Sequence, residues 1–218
     1  TPPPGQVRRD RPSCSGDRGS VDCFDIRGVR VRHALIAAAV ILGAGLVGVP
    51  AGAQNQDEVL RAHRLPAAEA ARIRLDGLLD DPAWSDAPAV GGFRQREPKE
   101  GEPATERTDV RVAYDDHALY VGVMAWDSEP DRIVARILQR DKIMEVNFFA
   151  GGLVFTGDDG IAILLDPFDD DRSGVVFATN PNGAEFEATL ANEGSEVNVD
   201  WRGVWEVASA RTADGWSA

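Results

Sequence analysis

The chain has 218 residues, 43% of them hydrophobic, and carries 36 Asp and Glu against 23 Lys and Arg, a formal charge of −13. That length holds one domain or a small pair, and so acidic a surface lacks the basic footprint that nucleic acid requires and disfavours docking on anionic headgroups. Cys14 and Cys23, the two cysteines, both lie near the N-terminus, so disulfides are no part of the stability expected for the rest of the chain.

Residues 1–28 are rich in Pro, Arg, Gly, Ser and Asp, lack hydrophobic periodicity and read as a disordered or mis-assigned upstream segment. Residues 29–53 have the pattern of a secretory signal peptide. Arg30, Arg32 and His33 precede an apolar run of 16 residues, Ala34 to Val49, and Ala51-Gly52-Ala53 follows. The run is short for a transmembrane helix, and its small-residue end suits cleavage after Ala53, with an uncleaved anchor as the alternative. The expected location is the periplasm or outer membrane. Without residues 1–53, 16 Lys and Arg stand against 32 Asp and Glu. Residues 54–71, polar and alanine-rich with Pro66, read as a linker with room for a turn of helix.

From Ile73 to Trp84 (IRLDGLLDDPAW) a short strand, a turn at Asp76-Gly77 and a proline-started helical turn are expected, with Asp80 or Asp81 as N-cap and Trp84 as the core anchor. Val110 and Val112 alternate with charged neighbours, and Asp115-Asp116 turns the chain. Leu119, Val121, Val123 and Ala125 then face one side of a second strand, and Tyr120, Met124 and Trp126 the other. Residues 132–140 fit a strand or a short helix. Asn147–Thr156 reads as an inserted hairpin or loop whose Phe148 and Phe149 pack over one end of the fold. The apolar run Ile161–Leu165 reads as a central strand and Val175–Thr179 as its neighbour, with an acidic loop between them. Asn182-Gly183 predicts a two-residue type I′ turn, followed by alternation of Phe186, Ala188 and Leu190. Trp201, Trp205 and Val207 come after a polar loop, and Asp214-Gly215 turns into a strand starting at Trp216. A chain that stops at Ala218, two residues into that strand, reads as a fragment. The whole is an all-β pattern, an antiparallel sandwich.

The stretches IRLDGLLDDPAW, AYDDHALYVGVMAWD, DDGIAILLDPFDDDRSGVVFATNPNG and WRGVWEVASARTADGWSA, in this order and spacing, resemble carbohydrate-binding module family 9. They are most similar to the N-terminal domain of bacterial envelope proteins whose C-terminal part is a predicted outer-membrane β-barrel. The resemblance spans residues 72–218. It implies a jelly-roll-like sandwich, non-catalytic recognition of an oligosaccharide or polysaccharide, and a barrel or catalytic domain of the same protein as partner. Relatives joined to xylan-degrading hydrolases imply an association with glycoside hydrolysis that belongs to the partner domains. Sugar-binding members tend to carry a tryptophan, an Asp three residues on and a Glu after three more, before a strand that ends in Asp. With Asp159 and Asp166 as the two aspartates, Thr156 and Ala162 stand where Trp and Glu are expected, so the family's sugar site is not carried over.

The chain has no nucleophile elbow, P-loop, HExxH or CxxC, and His33, His63 and His117 fall in the signal, the linker and a turn, which argues against histidine- or zinc-centred hydrolysis and leaves no catalytic residue to name. Sugar recognition combines aromatic faces with planar polar side chains. The candidates are Trp126, Trp201 and Trp205, with Asn180 as a weaker polar partner; packing in the core is the alternative for each ring. Asp166, Asp169 and Asp171, in one loop with Asp170, offer hard oxygen donors suited to Ca²⁺, with a solvated hairpin loop as the alternative reading.

Overall fold

In the computed structural model, residues 60–147 and 152–218 are described. The segments expected as an upstream region with both cysteines and a signal peptide, and Phe148 and Phe149, lie outside them. Among the described residues no helix is long and apolar enough to cross a membrane.

The fold is all-β, as the alternation predicts. Its largest sheet has five strands: β1 (His63–Arg64), β2 (Thr108–Tyr114), β3 (Leu119–Trp126), β10 (Ala210–Thr212) and β11 (Gly215–Ser217), in the order β1-β2-β3-β11-β10. All pairs in it are antiparallel except β1 with β2. A second sheet runs β6-β7-β8-β9, from β6 (Ile161–Leu165), β7 (Gly174–Thr179), β8 (Glu185–Ala191) and β9 (Glu196–Asn198). Between the two sheets in sequence lies the hairpin of β4 (Met144–Asn147) and β5 (Gly152–Phe155), where an insertion was expected.

Two apolar clusters form, one for each large sheet. Leu65, Ala70, Ala83, Trp84 and Ala113 are buried together, with Ile73, Leu79 and Tyr120 against them. The helical turns α1 (Ala67–Ala70) and α2 (Ala83–Asp86) therefore cover one face of the five-stranded sheet. The second half of the segment read as a linker is part of this core, because Leu65, just after β1, and Ala70 at the end of α1 have apolar side chains buried in it. On the four-stranded sheet, Val176, Ala178, Ala184, Phe186 and Ala188 pack with Ile143 and Met144 from β4 and its approach.

Four local expectations change. Asp81 does not cap α2 with its side chain; its carboxylate accepts hydrogen bonds from Arg74 N (2.9 Å) and Arg74 Nε (3.2 Å), and residues 73–75 form no strand. Residues 133–139 are neither strand nor helix beyond the short 3₁₀ turn Pro130–Arg132, since their backbone is held by side chains instead. β6 is an edge strand, not a central one, and Leu164 on it is 41% exposed. The loop between β7 and β8 is not a two-residue type I′ turn. Its register pairs Thr179 with Glu185, Gly183 N donates to Asn180 O (2.9 Å), and Gly183 has φ of 73° while Asn182 stays at negative φ. The turn thus closes around Pro181-Asn182, where proline fixes a negative φ and bars the primed turn, and glycine takes the left-handed position after it.

Candidate functional site

The pleat of the five-stranded sheet decides which side chains meet. Cross-strand pairs Ala113–Tyr120, Arg111–Gly122 and Asp109–Met124 place these six residues on one face, and Met124–Ser217 and Trp126–Gly215 extend that face onto β11. Trp84 and Leu79 close the face at Gly122, where an added Cβ would lie 2.8 Å from Leu79 Cδ2 and 3.0 Å from the Trp84 ring. Beyond Trp84 the face is left open. There a cavity of about 370 Å³ is lined by Leu78, Leu79, Asp80, Arg107, Asp109, Arg111, Met124, Trp126, Thr212 and Ser217.

Its walls divide into apolar and charged parts. Leu78, Leu79, Met124 and Trp126 supply the apolar surface. The Arg107 guanidinium lies 4.3 Å from the centroid of the Trp126 ring, a cation–π contact, and it also forks onto Asp109 through Nε to Oδ1 (3.0 Å) and Nη2 to Oδ2 (2.5 Å). Hydrogen bonding and charge from Asp109 hold Arg107 above its ordinary pKa. Asp109 is itself buried, so Arg107 serves both to neutralise it and to cap the indole. Ser217 Oγ donates to Gly77 O (2.6 Å) and fastens β11 to the turn at Gly77.

The other two tryptophans lie elsewhere. Trp201 and Trp205, both half-buried, lean on Phe177 of β7 with centroids 6.0 and 5.1 Å away and tilts of 60° and 55°. Trp205 Nε1 donates to Glu187 Oε2 (3.1 Å), and Arg140 pairs with both Glu187 and Glu185. Arg202 reaches Asp141 (2.8 Å) and stands 4.0 Å from Glu187. Glu187 is 0% exposed, a buried carboxylate paired with a guanidinium and an indole N–H. Its bond to Glu187 foremost, then the nearby carboxylates, raise the Arg140 pKa against the opposing effect of burial. This ring pair is packed and hydrogen-bonded against the second sheet, and neither ring lines the cavity at Trp126.

Asn180 is 0% exposed, and its whole amide is engaged. Nδ2 donates to Ile137 O (2.8 Å) and Asp158 Oδ2 (2.9 Å), while Oδ1 accepts from Asn182 N (3.1 Å) and Ala184 N (3.0 Å). It organises the β7–β8 turn. In the acidic loop, Asp166 accepts from Phe168 N and Asp171 N, and Asp170 from Arg172 N and Ser173 N. Asp169 and Asp171 sit at positive φ, 52° and 54°. Among the described residues, no group of three or more His, Cys, Asp or Glu side chains is arranged to hold a metal ion. Thr156 Oγ1 donates to Lys142 O, and Ala162 lies exposed on β6.

Sequence reasoning picked Trp126 from this cavity and missed Arg107, Asp109 and Arg111. The signal was present in the alternation of β2, whose charged residues Asp109 and Arg111 share one face and fall opposite Met124 and Gly122 of β3. Thr212 and Ser217 carried no such signal, since the β10–β11 hairpin brings them there from about 100 residues away along the chain. No family model matches the chain, and neither a curated protein nor a solved structure matches it.

Proposed function

We propose that the chain is an exported, non-catalytic carbohydrate-binding domain of the family 9-like kind, acting in glycan recognition at the cell envelope beside a barrel or catalytic domain. One observation carries the reading: the cavity on the five-stranded sheet joins an indole and a thioether to a planar guanidinium–carboxylate pair. A pyranose presents an apolar C–H face and a rim of hydroxyls, which is the complement of such a surface. The site at Trp126 takes the place of the family's own sugar site, at whose positions Thr156 and Ala162 stand.

Thermal shift of the full chain with xylo- and cello-oligosaccharides tests it, each with Ca²⁺ or with EDTA. Ligand at 100 times its Kd adds about 2.7 kcal/mol, which raises the midpoint by several degrees. The rise is expected to vanish in Trp126→Ala and to persist in Trp201→Ala measured against its own baseline. A rise lost in Trp201→Ala and kept in Trp126→Ala would move the site to the second sheet. A response to Ca²⁺ alone would assign a cation to the loop of Asp166, Asp169 and Asp171.

A second reading, a docking domain for its own barrel without sugar binding, is favoured by a different observation. Residues 203–208 make no backbone hydrogen bond to another described residue, and Val204 in their midst is fully exposed. Backbone N–H and C=O groups left unpaired in this way are what an added strand would engage.

A further inference from the structure

The charges around the Trp126 cavity do not balance. Arg107 is spent on Asp109, and Asp80 is spent on Arg74 through a 2.6 Å ion pair. Arg111 is left over: it lines the cavity from β2, half-buried, and has neither a hydrogen-bond nor an ion-pair partner among the described residues. Its nearest acidic neighbour on the same strand face, Asp109, has its carboxylate turned to Arg107. Thr212 lines the same cavity, and its Oγ1 is buried without a partner. A buried hydroxyl without a partner is uncommon among native side chains because it forgoes a hydrogen bond, and in the same cavity the half-buried Arg111 guanidinium is tied to no described carboxylate.

We infer that the Trp126 cavity selects an acidic sugar, a uronate whose carboxylate is received by Arg111 while its ring lies against Trp126 and Met124. The inference rests on the sugar-binding reading above and narrows its ligand class. A guanidinium takes a carboxylate in a planar, two-pronged fashion, and such charge-assisted bonds are about twice as strong as neutral ones. The net charge of −13 works against any anion at long range, so the discrimination has to come from this short-range contact. Thr212 adds a hydroxyl that gains a partner once its rotamer turns toward the ligand.

Calorimetric titration of the full chain with a glucuronate-substituted xylo-oligosaccharide, the matching neutral oligosaccharide, free glucuronate and acetate is the test. The acidic oligosaccharide is expected to bind about ten-fold more tightly than the neutral one, the size of one good charge-assisted contact. Arg111→Gln is expected to erase that difference and Arg111→Lys to keep part of it, with circular dichroism checking that both variants fold. Equal affinity for acidic and neutral oligosaccharides, or a preference that survives Arg111→Gln, overturns the inference and leaves the sugar-binding reading standing. Acetate binding as tightly as the acidic oligosaccharide reduces the site to an anion site and overturns it too. Failure of every sugar to bind rejects both readings together.

Discussion

Asp158 shows how one side chain locks a loop that has no regular structure. Burial pushes its carboxyl up, but hydrogen bonds from Ile137 N, Arg136 N and Asn180 Nδ2, all to Oδ2, outweigh burial and hold the group below its ordinary value of 3.8. Asp159 fastens Val134, accepting from its N–H at 2.6 Å and donating its own N–H to Val134 O at 2.8 Å. Asp158→Ala leaves three donors short of a charged acceptor and is expected to cost about 3 kcal/mol in urea denaturation. Asp158→Asn keeps an acceptor oxygen without the charge, for a cost of about 1 kcal/mol. Because the folded pKa lies below the unfolded one, the ionised carboxylate stabilises fully above pH 4 or so, and the contribution is lost as pH falls through the folded value. Wild type is therefore expected to lose more stability than Asp158→Asn between pH 5 and pH 3. Parallel pH curves for the two would show that folding leaves the pKa of this carboxyl where it stands in the unfolded chain.

Two turns at the level of the element separate conformational cost from crowding. Gly77 has φ of 82°, and a Cβ there would lie 2.5 Å from Ser209 C, whereas Gly92 at φ 72° has nothing within 4 Å. Left-handed backbone costs a non-glycine residue about 1–2 kcal/mol. Gly92→Ala should thus lower stability by about 1 kcal/mol. Gly77→Ala should lower it by about 3 kcal/mol or more, since β10 must also move away from the turn, and the urea midpoints of the two variants compare them directly. The sequence placed both the Asp76-Gly77 turn and the β2–β3 hairpin, where Asp115 Oδ1 accepts from His117 N and Ala118 N at 2.7 Å each. It failed at β6, because a continuous apolar run describes composition and not position in a sheet. It failed again at the β7–β8 turn, where Pro181 bars the primed turn that Asn182-Gly183 alone predicts.

Across the whole molecule, stability is divided between two cores, each tied to one large sheet, with residues 203–208 lying outside the backbone ladders. Hydrogen exchange should follow this division. Amides of Val175–Thr179 and Phe186–Leu190 are expected to be protected, and those of residues 203–208 to exchange quickly in the isolated chain. Strong protection of 203–208 would mean that a strand pairs with them in solution, and would favour the docking reading.

The all-β class, the β2–β3 hairpin and the burial of Trp84 were determined by the sequence alone, because period-two alternation and turn residues act over a few neighbours. The candidate site was half legible: Trp126 stands out as a large ring on an alternating strand. Its companions Arg107 and Asp109 were readable only as polar residues on the opposite phase of β2. Tertiary structure alone decided that Glu187 is buried beneath Trp205 and Arg140, that Asn180 is spent on a turn, and that Arg111 faces a cavity without a counter-charge. These depend on segments 18, 43 and more residues apart meeting across a sheet face. A polar residue's burial and pairing are set by what packs over it, and a linear pattern does not record that.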